Sequence, residues 1–385
     1  MHDPTQARER WAVGTEARAL VLVTAVLCAF GLATLYSASA FVAMQADHDS
    51  TYYFLKQLAG VGVGVVGFAL AAKFDAERLE RLAWPLMVVT IILMLVTVLP
   101  FTHKIAPLVN GSRRFVFGAS VQPSEFGKLA VVVWTAMLVL KKGEQMRRLT
   151  KGLLPFLIVV GILDVIAFFQ PDLSVAMLYT LLMGIILFSA DVRIGHFILL
   201  GILSAPLLWH EVAKRQYAMS RLLSFMGSGD APETINFQLR QSLIAVGSGG
   251  FTGKGFSQGL QQYGWVPFGY NDFIGSNIGE EWGFLGMMTI VLAFALYTWL
   301  GFRIAKQARS RFLQLVAIGL TCTMSITAYL HIGVVIGLLP TTGLTLPFVS
   351  FGRSNLVLSF VLTGILVNIG SIRERVYGAS ATDPA

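Results

Sequence analysis

Three carboxylates fall close together in GWVPFGYNDFIGSNIGEEWGFLG, residues 264–286: Asp272, then Glu280 and Glu281 about two helical turns on. Carboxylates that share a cavity can take a proton from a weak nucleophile. They can also hold a divalent cation such as Mg2+ or Mn2+, with Asp272 and Glu280 the candidate ligands. Asp272 alone could equally be a helix N-cap. A second group is basic. Arg113 and Arg114 in NGSRRFVFGASVQPSEFGKLA, residues 110–130, offer planar forks suited to a diphosphate, and Gln122, Glu125 and Lys128 follow within the next turns. Pro123 fits the first turn of a helix, where Glu125 complements the dipole. Lys254 in GSGGFTGKG adds another cation, on glycine-rich backbone whose N–H groups could approach a phosphate. A nucleotide P-loop is excluded: Ser248 stands where the first glycine is required, and Gly255 where a Ser or Thr would hold magnesium.

Other polar residues interrupt apolar runs: Asp164, Asp172 in QPDL, His331, and Ser350, Arg353 and Asn355 in LTLPFVSFGRSN. Ionisable groups inside membrane segments are candidates for a polar cavity. Asp172 could instead cap a helix, and His331 could be a satisfied core residue.

The elements that must position these groups are membrane helices. The 385 residues are 55% hydrophobic and 13% charged, with mean hydropathy +0.69, more apolar surface than a soluble core can hide. Runs long enough to cross about 30 Å of hydrocarbon fall at about 17–42, 54–72, 83–99, 124–140, 153–169, 173–190, 194–209, 280–302, 312–339 and 345–371. The expected fold is an all-α polytopic membrane protein of about ten spans. Residues 1–16 form an amino-terminal tail, 17–209 carry the first seven spans, 210–279 form one long extracytoplasmic loop, 280–371 carry the last three spans, and 372–385 form a tail. Most of the 29 Lys and Arg residues flank one side, which places both termini in the cytoplasm. The charged stretch MHDPTQARERWAVGTEAR reads as a tail before a retained anchor helix. The net charge of +8 is grouped beside apolar runs, a pattern of topology and anionic lipid headgroups and not of nucleic-acid binding. Cys28 and Cys322 sit far apart in apolar runs and read as small core residues. Within the loop, residues around 234–246 are expected to form an interfacial helix, and Tyr263, Trp265, Phe268 and Tyr270 suit the headgroup level.

In these motifs the chain resembles the SEDS family of bacterial cell-wall proteins (shape, elongation, division, sporulation). The matching pieces are NGSRRF and QPSEFGKLA, QPDLSVA, QLRQSLIAVGSGGFTGKGFSQG, NDFIGSNIGEEWGFLG and GLLPTTGLTLPFVSFGRSN, in family order over about residues 17–371. The resemblance implies peptidoglycan glycosyltransfer at the outer face of the bacterial cytoplasmic membrane. Its substrates would be lipid II and the nascent glycan strand, its partner a class B penicillin-binding protein acting as transpeptidase, and its catalytic acid Asp272. A flippase for lipid II and an inactive scaffold for the transpeptidase are the alternatives. The chain departs from the family twice: PFGYN replaces a Pro-Glu-Ala-His-Thr run before Asp272, and SFGRS replaces Ser-Tyr-Gly-Gly-Ser, which puts Arg353 where glycine is usual.

Overall fold

Where water is absent, an apolar run can satisfy its backbone only by closing hydrogen bonds within itself, so helices dominate. A computed structural model describes residues 8–376 apart from 100, 103, 109–111, 117–120, 148, 191, 193–194, 196, 199–200, 203–205, 207–212, 215, 227–232 and 268. The described helices are α1 (Thr15–Gln45), α2 (Tyr52–Lys73), α3 (Leu79–Val98), α4 (Pro123–Lys142), α5 (Leu154–Phe169), α6 (Leu173–Ser189), α7 (Gln216–Phe225), α8 (Glu233–Ser248), α9 (Ile274–Glu281), α10 (Gly283–Lys306), α11 (Arg311–Val335) and α12 (Arg353–Ile369). Two short terminal strands, β1 (Arg8–Val13) and β2 (Ser371–Val376), pair antiparallel and tie the chain ends together.

Among the described residues, seven helices are long and apolar enough to cross a membrane, and α6 and α12 are shorter apolar helices. This is a multi-pass membrane protein. The span expected at 194–209 falls largely outside the described residues. Helix α4 lies at the centre, its most apolar window 89% buried against 17% for α2, which therefore faces lipid. Glycines set the closest approaches between helices. A Cβ on Gly319 would come within 2.6 Å of Val132, where α11 meets α4, and one on Gly64 within 2.4 Å of the Phe360 ring, where α2 meets α12.

The structure differs from the expected spans at the motifs themselves. The span expected at 280–302 begins at Gly283, after the separate short helix α9. The span expected at 312–339 stops at Val335, and the one expected at 345–371 is helical only from Arg353. Between them the chain runs as turns and extended backbone, because Gly337, Gly343 and Phe348 take positive φ and Pro340 and Pro347 remove donors.

The break between α9 and α10 turns on Gly283, φ +64°, and leaves backbone groups that need partners. The glycine-rich segment supplies them. Lys254 N and Gly255 N donate to the carbonyls of Glu280 and Glu281 at 3.0 Å each, and Phe284 N and Leu285 N donate to the carbonyls of Gly250 and Phe251 at 2.9 and 3.2 Å. Gly253 has φ +83°, and a Cβ there would lie 2.1 Å from the Glu281 carbonyl oxygen. A Gly253→Ala variant is therefore expected to lose at least about 2 kcal/mol of stability. Gly62→Ala, where a Cβ meets nothing within 4 Å, should be neutral or gain up to about 1 kcal/mol through helix propensity. Thermal unfolding of the purified variants measures both; equal unfolding temperatures would contradict this role of the glycine segment.

Candidate active site

Asp272 lies in the turn that leads into α9. Its carboxylate lines a pocket with Arg221 of α7, Gln238 of α8, Val334 of α11 and the Thr341–Leu344 segment. The Cβ position of Gly343 is 3.7 Å from Asp272 Oδ2 and 3.8 Å from Arg221 Nη2, so the acid and the guanidinium flank the same spot. Arg221 Nη1 also donates to the Thr342 carbonyl at 3.2 Å. Burial pushes the Asp272 pKa up to about 6; the Arg221 and Arg114 guanidinium groups pull against this, and the Asp172 carboxylate adds to it. Such a group is a carboxylate at neutral pH yet basic enough to accept a proton.

Backbone contacts hold Asp272 in place. Ser350 Oγ donates to the Asn271 carbonyl at 2.8 Å, and Phe351 N donates to the Tyr270 carbonyl at 3.0 Å. Gln57 of α2 secures that segment, donating to the Ser350 carbonyl at 2.9 Å and accepting from Gly352 N at 3.3 Å. On the other side His331 is 2.9 Å from the Leu344 carbonyl through Nδ1, and its Nε2 accepts from Gly275 N at 3.4 Å. Those roles require the neutral ring with the proton on Nδ1. His331 is thus a satisfied core residue that ties α11 to both walls of the pocket.

The other predicted residues separate into sets. Arg114 donates to the carbonyls of Gln170 and Pro171 at 3.0 and 2.6 Å and pairs with Asp172 at 3.4 Å. Asp172 also caps α6, its Oδ1 accepting from Val175 N. Arg113 is half-buried beside this pair in sequence. Glu125 and Lys128 form a buried ion pair at 2.8 Å in the first turns of α4. Gln122 precedes them, its backbone N donating to Ser354 Oγ at 2.9 Å, and Asn355 Nδ2 donates to Thr345 Oγ1. The Gln122–Ser354 contact draws the starts of α4 and α12 together.

Glu280, Glu281 and Lys254 form a different constellation. Lys254 Nζ pairs with Glu280 Oε1 at 2.7 Å, and Leu260 N and Gln261 N each donate to the same carboxylate at 3.0 Å. Glu280 is 1% exposed, so it organises the 249–262 loop where the sequence suggested a cavity-facing acid. Ser37 Oγ of α1 donates to Glu281, which is equally buried. Asp272 and Glu280 therefore do not come together as cation ligands: the Glu280 oxygens are taken by a lysine and two amides. Among the described residues no group of three or more His, Cys, Asp and Glu side chains could hold a metal ion. Sequence reasoning counted Arg221 only toward topology, and missed Gln238 and the Thr341–Gly343 segment as pocket walls. One signal was available for the last, the threonine pair and glycine of PTTG just before a predicted span.

The family model described as cell cycle protein, named for FtsW, RodA and SpoVE, matches residues 18–375. The chain belongs to this family. Among its relatives is a protein named probable peptidoglycan glycosyltransferase FtsW from Trichlorobacter lovleyi, 35% identical over 91% of this chain and 92% of that one. Stage V sporulation protein E of Bacillus subtilis is also 35% identical, over 91% and 95%. Solved structures share the fold. A chain of a peptidoglycan synthase complex that coordinates polymerization and crosslinking matches with TM-score 0.76 at 23% identity, over 92% of this chain and 97% of that one. The rod shape determining protein RodA of Thermus thermophilus matches with TM-score 0.65 at 22% identity, over 91% and 95%.

Breaking the Lys254–Glu280 pair from one side leaves a buried carboxylate without its cation, which typically costs about 3 kcal/mol or more. With the lysine side chain 30% exposed, Lys254→Met is expected to cost about 2–3 kcal/mol. Combining it with Glu280→Gln should cost less than the two single changes together. A double-mutant cycle by thermal or denaturant unfolding reads the coupling; strict additivity would contradict it.

Proposed function

We propose that this chain is a glycosyltransferase that polymerises lipid II into glycan strands at the outer face of the bacterial cytoplasmic membrane, with Asp272 as its general base. The observation that carries this reading is the placement of Asp272: a buried carboxylate in a pocket that also holds a guanidinium, in a member of the FtsW, RodA and SpoVE family. The relatives' names support the class of reaction.

The chemistry follows from the groups present. A sugar hydroxyl is a weak nucleophile, so Asp272 takes its proton as the oxygen attacks the anomeric carbon of the second substrate. Attack from the face opposite the leaving group inverts that carbon. The bond to the diphosphate oxygen breaks and its electron pair leaves with the lipid diphosphate. The developing charge needs cations, for which Arg113 and Arg114 are the candidates, Arg114 being near enough to lower the Asp272 pKa. Gln122, Glu125 and Lys128 support the start of α4 beneath them. The polyprenyl tails stay in the bilayer between helices.

Lys and Arg grouping supports cytoplasmic termini, which turns the Asp272 pocket outward. A class B penicillin-binding protein is the expected partner, a reading supported by the fold shared with the synthase complex. It would cross-link the strands this chain makes.

Asp272→Ala and Asp272→Asn should abolish polymerisation of lipid II by the purified protein with its partner, while the unfolding temperature stays at or above the wild-type value. Retained strand synthesis would refute the base assignment. Headgroup translocation across reconstituted vesicles without strand synthesis would assign a flippase instead. The pH profile tests the same group. As pH falls through about 6 the carboxylate gains a proton and the base is lost, so kcat/KM should drop toward tenfold per unit on the acid side. Arg221→Gln removes a cation that favours the ionised form, and should move this acid limb to higher pH. An unmoved limb, or one that shifts lower, contradicts the pairing.

A further inference from the structure

Arg353 opens α12, and α12 starts well below the outer ends of its neighbours. A Cβ on Gly60 of α2 would lie 3.4 Å from Leu356 and 3.6 Å from Arg353 Cγ, while further along Gly64 meets Phe360. The two helices run side by side in the same direction, with Arg353 level with Gly60. Since α2 begins at Tyr52, Arg353 is set about 12 Å beneath its outer end, at 1.5 Å per residue. Its side chain is half-buried, and among the described residues its guanidinium has neither an ion pair nor a hydrogen-bond partner. Other cations near the site have carboxylate partners: Lys128 pairs with Glu125, Lys254 with Glu280 and Arg114 with Asp172. A charge at this depth is tolerated where water or an anion reaches it.

The walls near Arg353 are specific. Tyr53, Tyr270 and Phe351 pack ring against ring at centroid distances of 4.8, 5.2 and 5.8 Å, each half-buried with part of its surface open. Tyr53, Gln57 and Gly60 lie one above another on the face of α2 that carries the Ser350–Arg353 segment. That segment is the one bonded to Tyr270 and Asn271, so the start of α12 and the turn bearing Asp272 form a single braced unit. Three peptide units, at most about 11 Å of chain, separate the Arg353 and Ser350 Cα atoms.

We propose that Arg353 is a binding and specificity residue for a lipid-borne diphosphate, and that the Tyr53, Tyr270 and Phe351 rings form the platform for the sugar attached to it. The assignment rests on the glycosyltransferase reading. A planar guanidinium holds two oxygens of a diphosphate at once, which an ammonium cannot do, and aromatic faces accept the apolar side of a pyranose ring. When the bond between the anomeric carbon and the diphosphate oxygen breaks, the electron pair passes to the diphosphate, and Arg353 faces the charge that develops there. The proton of the attacking hydroxyl goes to Asp272, on the other side of the same braced unit.

The test compares wild type, Arg353→Ala, Arg353→Lys and Asp272→Ala, each as the full chain with its transpeptidase partner and matched for unfolding temperature. Binding of undecaprenyl diphosphate and undecaprenyl monophosphate is measured directly, with inorganic pyrophosphate as competitor, beside KM and kcat for lipid II. Arg353→Ala should raise KM by at least tenfold and abolish the preference for diphosphate over monophosphate lipid; Arg353→Lys should restore part of the affinity and little of the preference. Asp272→Ala should bind undecaprenyl diphosphate as wild type does and make no strands. Unchanged KM and unchanged preference in Arg353→Ala would overturn the assignment while leaving the base untouched. Competition by pyrophosphate as strong as that of the lipid would overturn the lipid source. Activity in Asp272→Ala would sink the base alone, since binding through Arg353 is read without turnover.

Discussion

A helix that stops inside a membrane domain exposes backbone groups that hydrocarbon cannot satisfy, and this constraint shapes the half of the molecule that holds the Asp272 pocket. Between Glu281 and Gly283 the chain does stop. The Gly249–Gly255 segment fits into the break and bonds both broken ends, two amides to the carbonyls on the α9 side and two carbonyls to the amides on the α10 side. Only glycines can bring backbone this close to backbone. Glu280 and Lys254 then hold the loop that follows, their charges cancelled in a buried pair. With the break satisfied, α9 stands as a short independent helix, and the turn before it presents Asp272 to a pocket.

The same economy governs the opposite wall. The chain from Gly337 to Gly352 runs between two membrane-capable or apolar helices without helix of its own, and Gln57, Asn271 and His331 bond to its Ser350, Gly352 and Leu344. Each of those contacts also fixes the geometry around Asp272. The Asp272 pocket is thus walled by irregular backbone bonded to neighbouring protein groups, while α4 and α11 supply the buried interior. Electrostatics completes it: burial raises the affinity of Asp272 for a proton, and Arg221 and Arg114 keep it ionised near neutrality.

The helices were legible in the sequence because their signal is long and redundant. Twenty apolar residues in a row have few alternatives in lipid, and the expected ends of α2, α5 and α6 lie within two residues of those observed. The motif regions were harder for a physical reason. An apolar stretch such as LTLPFVSFG reads as the start of a span, yet its glycines and prolines give extended chain until Arg353. The carboxylates were visible as a group, but spacing alone could not divide them. Glu280 and Glu281 point away from the Asp272 pocket because α9 ends beneath them, a break marked in sequence only by one glycine. Arg221 carried no local signal, since its role depends on α7 folding back over a segment more than a hundred residues later.

What matters most is the side of the membrane on which Asp272 is exposed, because a base for outer-face sugar chemistry must be reached from outside. Replacing Cys28 and Cys322 by Ala and Asp272 by Cys gives a chain with one thiol, at the pocket. Reaction of that thiol with a membrane-impermeant maleimide applied to intact spheroplasts is the result expected. Modification only in inside-out vesicles, with none from the outer face, would contradict an outward-facing catalytic acid.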